Sequence, residues 1–91
     1  MGDYQQARAL DEDTLTRFRR VLGADHPNTL GSASDLAADL AALGDYHQAR
    51  SLHEDTLTRF RRVLGADHPH TRLSAENLAA VMRQLGDAER H

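Results

Sequence analysis

Ninety-one residues leave room for one compact unit with a small core, so stability has to come from regular packing or from neighbours. The chain has no cysteine, which excludes a disulfide framework, a thiolate metal site and a cysteine nucleophile. Its formal net charge is -3, and a dedicated nucleic-acid binder carries a basic excess instead. No apolar run approaches the roughly 20 residues that span a bilayer, and the opening MGDYQQARALDED is acidic where a signal peptide is basic and then apolar. The expectation is a cytoplasmic chain with no membrane and no nucleic-acid partner.

In chain order, the first predicted helix covers residues 3–22. Tyr4, Ala7, Leu10, Thr14, Leu15, Phe18, Val21 and Leu22 recur at intervals of three and four and form one apolar face. Asp3 stands where an N-cap acceptor is wanted, and Gly23 closes the helix. Arg17, Arg19 and Arg20 gather in its last turns, where the helix dipole favours cations, and Asp13 lies four residues before Arg17. A shorter helix over 28–43 carries Leu30, Ala33, Leu36, Ala37, Leu40 and Leu43 on one face, and Pro27 fits only its first turn. Gly44-Asp45 is the whole link to the next helix, so the pair must be antiparallel.

The third helix, ending at Leu64, repeats the first: Tyr46, Ala49, Leu52, Thr56, Leu57, Phe60, Val63 and Leu64, with Asp45 at the cap and Gly65 after the end. Its Asp55 stands four residues before Arg59, and Arg61 and Arg62 follow. The fourth helix, over 70–85, carries Leu78, Ala79, Met82 and Leu85 behind Pro69. Residues 86–91 then read as the truncated opening of a third unit.

The halves are the same text. Residues 2–43 laid on 44–85 give 30 identities and 12 differences, a period of 42 that marks a solenoid whose units bury their apolar faces only by stacking. Nine of the differences lie in the shorter helix or just before it. The phase is uneven: a second-type helix (3–22), a complete pair (28–64) and a first-type helix (70–85), as in a segment of a longer array.

Leu36-Ala37 and Leu78-Ala79, the turn at Gly44 with Tyr46, Ala49 and Leu52, and the linkers from Leu64 to Pro69 and Leu22 to Pro27 resemble the tetratricopeptide repeat. The 42-residue kind found in kinesin light chains and in bacterial signalling proteins is the nearest in pattern. The resemblance implies an all-α fold, an α-solenoid of antiparallel helix pairs with about four helices, spanning residues 1–91 as one array. It departs from the family at His53 and Asp11, where an aromatic is usual, and at Thr14 and Thr56, where alanine is preferred. Tyr4 and Tyr46 are expected to pack between helices.

Candidate chemistry is sparse. HEDTL at residues 53–57 begins like a zinc-protease helix, but its second histidine would fall where Leu57 stands. His68 and His70 with Asp67 hold imidazole and carboxylate ligands close together, yet DHP also occurs at residues 25–27 without the second histidine, as a structural linker would. RFRR, present twice, lies at helix ends, where the dipole explains it. No nucleophile motif or phosphate loop occurs, so neither an enzyme nor a cofactor is expected.

The resemblance implies a protein-interaction scaffold that binds a peptide or protein segment on its concave face. The first-type helix would line that face with Ser34, Asp35, Ala38, Ala41 and Ala42 beside Glu76, Asn77, Ala80, Arg83 and Gln84. Asn77 matches an asparagine with which the family contacts a bound peptide's backbone, and Asp35 takes its place in the first half. A homo-oligomer formed through the terminal helices is a further expectation. The alternative is a self-assembling spacer that stacks end to end or exchanges helices and has no specific groove ligand.

Overall fold

The repeated linker does more than separate helices. In a computed structural model that describes residues 3–90, with side chains described through residue 87, four helices follow one another: α1 (Tyr4–Val21), α2 (Pro27–Ala42), α3 (Tyr46–Leu64) and α4 (Pro69–Arg90). Both DHP segments cap a helix through histidine. His26 Nδ1 accepts from the Asn28 N–H at 3.1 Å, and His68 Nδ1 accepts from the His70 N–H at 3.1 Å. Each answers one of the backbone donors that a helix start leaves unpaired, and each proline occupies the first turn, where no donor is missed.

Two residues after each proline, a threonine ties the new helix to the old. Thr29 Oγ1 donates to the Phe18 carbonyl, and Thr71 Oγ1 to the Phe60 carbonyl, both at 3.4 Å. Their placement is possible because Gly23 and Gly65 turn the chain at φ of 93° and 91°, a region costly for a residue with a Cβ.

The turn between α2 and α3 is a Schellman motif. Asp45 N–H donates to the Leu40 carbonyl at 2.8 Å and Gly44 N–H to the Ala41 carbonyl at 3.0 Å, with Gly44 at φ 86°. Asp45 makes no side-chain cap bond, against expectation, whereas Asp3 Oδ1 accepts from the Gln6 N–H at 3.2 Å as expected. At Asp45 the tight link itself, through backbone bonds, starts α3; its carbonyl accepts from the Ala49 N–H.

Packing runs in sequence order, α1 on α2, α2 on α3 and α3 on α4. Leu15, Ala33, Leu36, Leu40, Ala49 and Val81 form the core, with Ala41, Tyr46 and Leu52 packed against it. The expectation for Tyr4 fails: it is 49% exposed, while Tyr46 is half-buried. Leu10 is likewise 67% exposed, because α2 covers only one flank of α1. The i, i+4 pairs form as read, Arg17 to Asp13 at 3.1 Å and Arg59 to Asp55 at 2.9 Å.

The largest departure concerns the expected opening of a third unit. Gly86 and Asp87 do not turn the chain; α4 continues through them to Arg90. Gly86 lacks the positive φ of Gly44, and Ala88, Glu89 and Arg90 stand where the previous unit has Tyr46, His47 and Gln48. Alanine, glutamate and arginine are strong helix formers, and among the described residues no antiparallel helix packs back to oppose them. Gly2 and His91, which were read into the repeat, lie outside the described residues.

Gly44→Ala tests the turn. It keeps the helices but puts a Cβ in the left-handed region, so urea unfolding should show a loss of about 1–2 kcal/mol. Gly31→Ala, in mid-helix with nothing within 4 Å of the added methyl, should instead gain roughly 0.5–1 kcal/mol.

Candidate functional site

Because α2 and α4 both pack on α3, they stand as two walls with α3 as floor. Two adjoining clefts lie between them. One, of about 340 Å³, is lined by Ala38, Ala41 and Ala42 of α2, by Asn77, Ala80, Val81 and Gln84 of α4, and by His53 beneath. The other, of about 250 Å³, brings together Ser34, Asp35 and Ala38 with Ser74 and Asn77, over Phe60. Ala38 and Asn77 belong to both, so the clefts form one groove.

Most of the residues expected on this face are therefore gathered by it. Glu76 and Arg83 line neither cleft and stand exposed on the outer side of α4. The floor residues stand out in the sequence only as a departure from the family pattern (His53) and as part of an apolar face (Phe60), not as groove lining. His53 is 2% exposed, Phe60 is buried, and His70 and Leu73 edge the groove. One signal was available: Asp11 against His53 is the difference between the two long helices that falls on their inward face.

Burial lowers the pKa of His53, so the imidazole is neutral at pH 7. Its Nδ1 and the buried Ser74 Oγ find no partner among the described residues. Both atoms are buried, so neither faces the open groove as the side chains stand. Among the described residues no three His, Cys, Asp or Glu side chains gather to hold a metal ion.

Towards α1 the groove opens into a cleft of about 480 Å³ lined by Asp11, Thr14, Phe18, Asn28, Gly31, Asp35, Phe60 and His70. Asp11 and Asp35 of its lining interact with Asp39, which stands behind it, and the three carboxyls strain one another. Asp39 is raised to about 6 by burial, by a hydrogen bond shared with Asp11, and by the Asp11 and Asp35 charges. Asp35 is raised as well, first by burial and then by Asp11. Asp25 is the opposite case: hydrogen bonding to Arg59, with Arg62 beside it, lowers its pKa. Arg59 Nη1 and Arg62 Nη2 reach Asp25 Oδ1 at 2.7 and 3.0 Å and tie the end of α3 to the linker before α2.

The tetratricopeptide repeat model matches the sequence twice, over residues 1–58 and 30–90, and so covers nearly all of it. The chain belongs to the tetratricopeptide repeat family. Its four helices are accordingly a helical solenoid of antiparallel pairs, and members of the family are in general non-catalytic protein–protein interaction scaffolds. No curated protein matches the sequence. No described helix is long and apolar enough to cross a membrane.

The carboxylate cluster has a measurable consequence. The raised Asp39 pKa means that ionisation opposes folding; that opposition is complete above about pH 6 and fades as pH falls towards the ordinary 3.8. Asp39→Asn should therefore raise the melting temperature at pH 7.5 by several degrees, since 1 kcal/mol moves a domain of this size by about 4–8 °C. The gain should shrink markedly by pH 4.5. His53 titrates in both proteins and cancels in the comparison.

Proposed function

We propose that this chain is a scaffold that holds an extended segment of a partner protein in the groove between α2 and α4. The arrangement of the groove carries the reading: alanines on both walls and Asn77 shared by its two clefts. Ala38, Ala41, Ala42 and Ala80 project only methyl groups, so a peptide backbone can come close to the helices. Asn77 offers a donor and an acceptor, which is what a peptide unit needs from one side chain.

The residues assigned to binding are Ser34, Asp35, Ala38, Asn77, Ala80 and Gln84. Asp35 and Asn77 occupy the same place in the two halves, and the ionised carboxylate accepts only. The segment is thus gripped by two different contacts. The resting shape supports binding without chemistry, so the proposal is of a protein that is not an enzyme.

Peptides selected from a random library on the immobilised chain give the test. Asn77→Ala should weaken them about tenfold, as the loss of a hydrogen bond of ~1.4 kcal/mol does. Helicity should not change, and Arg61→Ala, on the exposed end of α3, should bind as wild type. Equal loss from Arg61→Ala, or selected peptides indifferent to Asn77, would refute the groove.

A further inference from the structure

We propose that the outer face of α4 docks α1 of a second copy of this chain, so that 91-residue chains associate head to tail. The α2–α3 pair within the chain shows what that interface looks like. On α2, Ala33, Leu36, Ala37 and Leu40 are buried, Leu40 at 6% exposure. Forty-two residues on, Ala75 and Leu78 are half-buried, Ala79 is exposed and Met82 is 50% exposed.

The other face of α4 is closed: Thr71 and Ser74 are as buried against α3 as Thr29 and Ser32 are against α1. Among the described residues no element covers α4 as α3 covers α2. On α1 the deficit is the reciprocal one. Ala49, His53, Thr56 and Phe60 of α3 are buried, whereas Ala7, Asp11, Thr14 and Phe18 of α1 are each only half-buried. The two halves of the α2–α3 interface recur, unjoined, on α4 and α1. The continuation of α4 to Arg90 runs along the helix axis and leaves its lateral face from Ala75 to Met82 open.

Charge selects a second copy as the occupant. Asp25, before α2, binds Arg59 and Arg62 at the end of α3. The counterparts are Asp67, before α4, and Arg17 and Arg20 at the end of α1. Asp67 and Arg20 make no ion pair among the described residues. Arg17 holds Asp13 as Arg59 holds Asp55, and Arg59 shows that such an arginine can reach a linker aspartate at the same time.

The positions where the halves differ carry the same message. His53 borders one cleft with Ala41; their counterparts are Asp11 and Arg83. Laying the α2–α3 interface on α4 and a neighbour's α1 brings Asp11 towards Arg83. Two changes that would each leave a lone charge in the interface occur as an oppositely charged pair.

Light scattering on the chain from ~1 μM to ~1 mM, the range where modest interfaces form, tests this. The mass should climb past the 10.1 kDa of one chain without a plateau at two, because a pair joined head to tail still presents one free α4 face and one free α1 face. Met82→Asp should stay monomeric with unchanged circular dichroism. Asp11→Arg and Arg83→Asp should each need at least ~10-fold higher concentration to associate. Mixing those two should restore association, since each then meets a complementary charge. Asn77→Ala should associate as wild type, which separates this surface from peptide binding. A wild type monomeric at ~1 mM, a plateau at the dimer, association untouched by Met82→Asp, or a mixture no stronger than its components would overturn the proposal.

Discussion

The close approach of α2 and α3 sets the rest of the molecule. Ala37 and Ala49 are both fully buried, and side chains this small let the two helices meet tightly over a three-residue link. A larger residue at either place would push α3 away from α2. The groove would shift with it, because α3 is its floor and α2 one of its walls.

That contact is repeated rather than elaborated. With few aromatics the chain builds no large central core, and it stabilises each helix against the next through the same short set of devices. The histidine cap, first-turn proline, threonine bond to the preceding helix and positive-φ glycine are identical in the two halves. They set the angle at which helices succeed one another, so keeping them fixed keeps the walls of the groove parallel to their expected places. The walls themselves differ between the halves, as Ser34 and Asp35 differ from Glu76 and Asn77. One geometry thus presents two chemistries.

Element types and their order were legible because period and punctuation agree: a 3.6-residue apolar face opened by Asp or Pro and, in the first three helices, followed by Gly is hard to mistake. What escaped was whatever depends on a neighbour. Tyr4 and Tyr46 have nearly the same local sequence, yet one is exposed and the other packed, because α3 has first-type helices on both flanks, α2 and α4, whereas α1 has only α2. The run of α4 through Gly86-Asp87 is the same lesson, since an identical dipeptide turns at residue 44 where α3 folds back and stays helical at residue 86 where nothing described does. The groove walls followed from the resemblance. The floor did not, because His53 looks like one more polar residue on a polar helix until α2 and α4 close over it.

Asp11 links the two surfaces of the molecule. It sits at the acidic end of the groove, where its charge helps hold the Asp35 and Asp39 carboxyls above their ordinary range, and it also lies on the flank of α1 that α2 leaves uncovered. In the proposed stack, a cation brought to Asp11 by the neighbour lowers the cost of ionising Asp35 and Asp39 and so eases the repulsion at that end of the groove. Stacking and groove binding then share free energy through one carboxylate. By reciprocity, a partner segment that prefers an anionic groove end would favour stacking by the same factor as stacking favours its binding.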